Sequence, residues 1–485
     1  MVIALALLLV QDAKAAPPLH EERYYRVEPV VAPADIVLEV SGITVLADGR
    51  PMVCTRHGEI FVIDNAYGEL DTKPVFHLWA QGLQEPLGLL QRDGWIYCQQ
   101  RGELSRMRDG DKDGRMDELE TVCDDWKISG NYHEYAFGPT QDRDGNFWIT
   151  LNRPFGDEPF GHMKWRGFAC RITPSGEFQP MCCGLRSPCG IATSPWGDLF
   201  YTDNQGEWCG TGKLSQLQPG DFHGHPWGLD SCKDPLWKFT DPGQPPNEVL
   251  MPDVAKQMPT FRLPAVWFPY DKMGRSCSGF VWDETGGKFG PFAHQLFIGD
   301  QYQSSVIRVC LEKINDHWQG ACFPFRVGLS SGVVRVAWGK DGSLFCGETN
   351  RGWGSFGPKT DGLERLVWTG ELPFEVLEIH AKPDGFELSF TAPVDAKTAA
   401  DPASYKLSSY TYLLHETYGS AETDTKQLAV STAVVAPDAK SVRLTIDGLR
   451  AGYVHEFHCK GVRSATGEPL LHDAAYYTLI EIPSR

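Results

Sequence analysis

The chain has 485 residues, 42% of them hydrophobic, and a formal net charge of −18 at pH 7. Its length calls for about two to three domains, and its acidic balance speaks against nucleic acid or an anionic membrane surface as a partner. Fifty glycines and 34 prolines supply the tight turns of a β-rich protein.

Residues 1–18, MVIALALLLVQDAKAAPP, hold an apolar run of signal-peptide length with a small-residue stretch where cleavage could fall, though no basic residues precede it. The run Val2–Val10 is too short to span a bilayer. The pattern predicts export, to a periplasm or the outside; the other reading is a frayed end on a cytoplasmic protein. A lead-in, Glu21–Val40, follows.

From Val40 one phrase recurs six times: an apolar start, a Gly or Asp-Gly turn, and a strand ending in a polar tip. The copies are Val40–Asp64, Gly82–Asp109, His133–Phe178, Gly184–Gly220, Ser276–Glu312 and Gly328–Gly370. Repeats of this length with several short strands predict an all-β, six-bladed β-propeller over residues 35–370. Such a fold sets equivalent residues of every blade around one axis.

The second copy ends in Asp109-Gly-Asp111-Lys-Asp113-Gly114, with Arg115 seventh, Asp117 ninth and Glu120 twelfth in the loop. The spacing satisfies a calcium loop, in which alternate carboxylates surround a hard cation. A solvated acidic turn is the alternative. No helical flanks surround it, so a structural Ca2+ site between strands is expected.

Asn131-Tyr-His133-Glu134 opens the third copy. A histidine there can point into the axial cavity and serve as a general base, or be a satisfied structural residue. The turns of the copies supply His57, Arg101, Arg153, Gln205, Gln301 and Arg351. Facing the axis, they form a polar, locally basic ring suited to an anionic or polyhydroxylated ligand. Equally, the arginines pair with glutamates of neighbouring turns.

A Pro- and Trp-rich insertion, His223–Met273, separates the fourth and fifth copies; a loop of this size is usually a lid or pocket wall. None of the 14 cysteines forms a CxxC or CxxCH motif. Cys54, Cys98 and Cys346 read as small buried strand residues. A local disulfide among Cys182, Cys183, Cys189, Cys209 and Cys232 is open. From residue 371 to 485 the period-two alternation of FEVLEIHAKPDGFELSF and KSVRLTIDGL predicts an immunoglobulin-like or fibronectin-like β-sandwich. No chemistry is visible there, which suggests a structural or interaction role.

The pattern His133…FGP…DGNFWIT, then Gly184-Leu-Arg186-Ser187-Pro…Gly190-Ile, then Asn204-Gln205-Gly206, resembles the soluble glucose/sorbosone (aldose sugar) dehydrogenases. SCSGFVWD…HQLFIGDQYQSSVIRVCLE and GVVRVAWGKDGSLF extend the likeness, so that it covers residues 40–370. Within that superfamily the chain looks most like the group named for membrane-bound dehydrogenase domains. The resemblance implies a six-bladed propeller that binds pyrroloquinoline quinone (PQQ) and calcium. It implies His133 as the base toward the anomeric hydroxyl, Arg186 as the charge stabiliser, Gln205 and Gly206 as a strip beside the quinone, and Arg335 as a cofactor contact. Arg101, Arg351 and His57 complete the expected cofactor set. Glu134 or Asp157 would orient the base, Glu207 replaces the family's proline, and Ser187 replaces its asparagine. The expected partners are a small sugar or other polyhydroxylated substrate and an electron-acceptor protein. Two other functions stay open: a non-redox lactonase or lyase, and a sugar- or protein-binding module without catalysis.

Overall fold

The computed structural model describes residues 21–68, 72–156 and 163–484; the signal-like segment and Asp157 lie outside them. The protein is nearly all β, built from many small antiparallel sheets, as in a β-propeller. Among the described residues, six sheets begin with strands Val40–Val45, Leu89–Arg92, Ala136–Gln141, Pro188–Thr193, Cys277–Trp282 and Val333–Trp338. Each of these strands touches the next, and the last touches the first, so they enclose an axis.

The sequence explains the layering. The second strands, such as Pro51–Thr55, Phe147–Leu151 and Leu296–Asp300, are buried along their whole length. A strand covered on both faces reads as a continuous apolar run rather than an alternating one. The turns between first and second strands need a left-handed residue and place Gly49, Gly145, Gly197 and Gly342 there, with φ between 84° and 91°. At the axis the inner strands crowd one another. A Cβ on Gly88 would fall 1.8 Å from the carbonyl oxygen of Gly138, so no other residue fits.

Two boundaries differ from those read in the sequence. The sheet that starts at Val333 takes its outer strand, Tyr25–Pro29, from the lead-in, ten residues before the expected start of the propeller. The insertion does not lie between the fourth and fifth sheets. It lies within the fourth, whose outer strand is Val266–Phe268.

The C-terminal part forms two sheets around one apolar core that includes Phe386, Leu388, Leu444, Phe457 and Tyr477. Strand Ser441–Ile446 alternates between buried and half-buried residues, the period-two pattern of a strand with one face on a core. One of these sheets is continuous with the fifth sheet of the ring. Strand Ala474–Leu479 pairs with His317–Arg326, giving eight strands. All fourteen cysteines are free thiols, so the disulfide left open in the fourth repeat is not formed. Cys54, Cys98 and Cys346 are buried in strands, as expected.

Candidate functional site

At one end of the axis is a small cavity lined by Tyr135, Ser187, Gln301, Thr349, Arg351 and Trp353 among others. Its residues come from strand ends and turns of different sheets, where a rigid scaffold presents side chains from distant sequence. His133 lies beside this cavity and is 4% exposed. Its Nδ1 is 3.0 Å from the carbonyl oxygen of Arg153. A carbonyl can only accept, so Nδ1 carries the hydrogen and Nε2 the lone pair. Nε2 faces Ser187 Oγ at 3.4 Å. The ring stacks on Phe155 with centroids 3.3 Å apart. Burial holds the imidazole well below the usual histidine range, and the guanidiniums of Arg186, Arg153 and Arg351 push it the same way. His133 is therefore a neutral acceptor at neutral pH.

Of the two carboxylates expected to orient the base, Asp157 lies outside the described residues and Glu134 does not make this contact. Glu134 turns away and accepts from the backbone N and the Oγ of Ser129. A backbone carbonyl, that of Arg153, performs the orienting instead.

The basic ring forms, and it is largely internally paired. Glu85 binds both Arg101 and Arg351. Glu207 binds Arg153 at 2.6 Å and Arg186 at 3.1 Å. Glu39 binds Arg56 at 2.5 Å and His57 at 2.6 Å. In the first sheet Arg56, one residue before His57, lines the cavity; the His57 side chain is half exposed on the rim. Five guanidiniums thus share these three carboxylates. Arg186 also lies against the rings of Phe155 and Tyr418, 4.6 and 5.3 Å from their centroids.

Deeper, the buried carboxylate of Asp203 accepts from the backbone nitrogens of Arg186 at 2.9 Å, Ser187 at 2.7 Å and Asn204 at 3.0 Å. It fixes the turn that carries Arg186 and Ser187. Asp300 does the same in the next sheet, accepting from Arg275 and Ser276. The sequence reading passed over both, although the recurrence of an acid at the strand tips of LFYTD and LFIGD was there to see.

Other expected cofactor contacts are committed elsewhere. The Gln205 amide donates to Gly210 O, and the Gly206 carbonyl accepts from Gly419 N at 3.1 Å. That carbonyl is a rung of a bridge to the C-terminal part, so it is not free to hold calcium. Arg335 reaches into the axial channel and donates to Leu87 O at 2.9 Å. It sits where the other inner strands place Gly42, Gly88, Gly138, Gly190 and Gly279, and forms part of the channel wall rather than meeting Arg186.

The acidic loop lies far from the axis, in the hairpin between strands Leu104–Arg108 and Glu118–Cys123. Carboxylate oxygens of Asp109, Asp111 and Asp113 gather within 4.8 Å of one another. Asp109 Oδ1 is buried without a hydrogen-bond partner. Asp117 accepts from Gly110 N at 2.8 Å, and the Arg115 backbone nitrogen donates to Asp113. Glu120 does not join them. Strand register sets it opposite Arg106, which binds it at 2.5 Å.

A model described as a domain of unknown function (DUF7133) matches residues 57–222. No curated protein matches the sequence. Among solved structures, a Thermus thermophilus oxidoreductase described as a glucose dehydrogenase aligns with 71% of this chain and 100% of its own, at 19% identity and a TM-score of 0.51. The PQQ-bound aldose sugar dehydrogenase of Streptomyces coelicolor aligns over 73% of this chain and 99% of its own, at 16% identity and a TM-score of 0.47. The PQQ domain of a Coprinopsis cinerea pyranose dehydrogenase aligns over 71% and 95%, at 12% identity and a TM-score of 0.48. The resemblance read in the sequence is thus met at the level of fold: over 71% of its length this chain is built like the Thermus glucose dehydrogenase.

Proposed function

We propose that the protein is a sugar or aldehyde oxidoreductase whose ring of sheets is a six-bladed propeller, followed by an immunoglobulin-like sandwich. The observation that carries this reading is His133: buried, neutral, held by its Nδ1–H on Arg153 O, with Nε2 facing the hydroxyl of Ser187, which lines the cavity. In this reading Nε2 takes the proton of the sugar hydroxyl, and Arg186 and Arg351 offset negative charge that develops beside it. An anionic cofactor would be met by the guanidiniums of Arg101, Arg153, Arg186 and Arg351, which would exchange part of their pairing with Glu85 and Glu207 for its carboxylates, and by the rings of Trp353 and Tyr135 on which Arg351 lies. A quinone bound there supplies the two-electron acceptor. Calcium, in this proposal, belongs to Asp109, Asp111 and Asp113 as a structural ion. Export follows from the apolar N-terminal run, and an electron-acceptor protein follows from the need to reoxidise the cofactor.

A specific contact favours a second reading. Ser187 Oγ and His133 Nε2 face each other at 3.4 Å, the looser end of what an empty nucleophile–base pair shows. Ser187 could then attack a lactone carbonyl, with His133 receiving the hydroxyl proton. One assay separates the two. Purified protein is given PQQ, calcium and a redox dye with a panel of aldoses, and in parallel aldonolactones without quinone. Dye reduction that depends on quinone and sugar supports the oxidoreductase. Lactone opening that is lost in Ser187→Ala, with no dye reduction, replaces it.

A further inference from the structure

We propose that the mouth of the cavity is a glycan-binding collar, so that the substrate is a sugar chain presented by its end rather than a free monosaccharide. This rests on the reading of the cavity as a sugar site. Large aromatic side chains are costly to leave in water, and here four gather from distant parts of the chain. Tyr132 is 55% exposed, Trp353 51%, Phe356 60% and Tyr418 63%. Tyr132 and Trp353 flank His133, their ring centroids 5.9 and 6.5 Å from the imidazole. Tyr418 covers Arg186 on the opposite side. Phe356 packs at 5.4 Å on Tyr302, and the Arg275 guanidinium lies among Tyr302, Phe356 and Tyr270.

The arrangement decides the ligand class. The rings do not merge into a flat apolar patch, as a protein partner would require. Three of them lie against guanidiniums that are paired with carboxylates: Phe356 by Arg275 with Asp271, Trp353 by Arg351 with Glu85, and Tyr418 by Arg186 with Glu207. A pyranose has an apolar C–H face and a rim of hydroxyls. Ring faces interleaved with guanidiniums and carboxylates match both at once. Trp353 both lines the cavity and is half exposed, so a terminal sugar in the cavity would leave its neighbours lying across the collar.

Tyr418 belongs to the C-terminal part, and its placement is built rather than accidental. It bridges to Glu207, and on either side Gly419 N donates to Gly206 O and Trp208 N donates to His415 O at 2.8 Å. The segment is stitched to the fourth sheet by backbone bonds along the rim.

The test is binding by the full chain, measured by calorimetry with glucose and with cellotetraose, maltotetraose and xylotetraose. At least one tetrasaccharide is expected to bind tenfold or more tightly than glucose. Trp353→Ala and Tyr418→Ala should each weaken that binding about tenfold, with unchanged melting temperatures because both side chains are exposed. Tetrasaccharides that bind no better than glucose, or variants that bind as the parent does, overturn the collar. If glucose is oxidised and no tetrasaccharide binds, the collar fails and the oxidoreductase stands. If tetrasaccharides bind through Trp353 and Tyr418 but no sugar is oxidised, the collar stands and the oxidoreductase fails.

Discussion

His133 illustrates how a single residue acquires its chemistry from its surroundings. A histidine in water is half protonated at pH 6.5. Here burial and three guanidiniums disfavour the cation, while the Arg153 carbonyl settles which nitrogen is free. If His133 is the base, it stays competent as the pH falls through 6.5 and is lost only below it. The acid limb of kcat/KM against pH should therefore lie below 6.5, and Arg351→Gln should move it upward by removing one repelling charge. A limb at or above 6.5 in the parent protein would contradict the assignment. His133→Gln should reduce turnover by roughly a hundredfold to ten-thousandfold, the usual contribution of a general base. Its melting temperature should stay near that of the parent. A variant with normal activity would show that another group takes the proton.

At the scale of the element, the strand tips do the positioning. Asp203 ends the strand Leu199–Asp203 and gathers three backbone N–H groups that have no other acceptor in reach. Asp203→Ala would leave them buried and unpaired. With about 1–3 kcal/mol for each orphaned group, of which some relax, the loss should reach roughly 3 kcal/mol or more in urea unfolding. Asp203→Asn, which keeps one acceptor oxygen, should lose less. Equal losses from the two variants would mean that the carboxylate's acceptor role is not what holds the turn. The outer hairpin of the second sheet works on the same scale. If calcium holds Asp109, Asp111 and Asp113, chelator should lower the melting temperature by mass action. The chelator effect should vanish in Asp109→Asn/Asp111→Asn, and be unaltered in Glu120→Gln, whose partner is Arg106. No change with chelator in the parent protein removes calcium from the account.

At the scale of the whole molecule, the C-terminal part is no detachable module. It adds four strands to the fifth sheet, and strand Leu413–Leu414 pairs with Val249–Leu250 of the insertion. His472 lies between Glu375 at 2.6 Å and Glu21 at 3.0 Å, tying the C-terminal part to the lead-in, and the two carboxylates raise it to about 10. Ending the chain at residue 370 would bare the edge of His317–Arg326 together with Cys310, Ala321 and Phe323, which pack into the C-terminal core. An unpaired edge beside apolar surface invites association. The truncated protein should elute as aggregate in size exclusion, or melt many degrees below the full chain. A soluble monomer with the parent's melting temperature would show that the two parts are independent.

Much of this was legible in the residues themselves. Glycine turns at fixed intervals, fully apolar second strands and polar tips are local properties of each repeat, and they fix the strands wherever the repeats lie. The alternation after residue 371 is local in the same way. His133, Arg186 and the three clustered aspartates could be named because each sits at a fixed place within a repeat or loop. The rest depended on distances between repeats. Whether Arg101 and Arg351 were free depended on Glu85, which lies in the second copy and meets the arginine of the sixth only because the ring closes. Glu120 fitted the calcium spacing, but strand register gave it to Arg106. Tyr418 lies more than 200 residues from Arg186, and no periodicity links them; the sequence by itself determined the strands, whose patterns are local, and only the packing of the C-terminal part against the fourth sheet decided that an exposed tyrosine would cover Arg186.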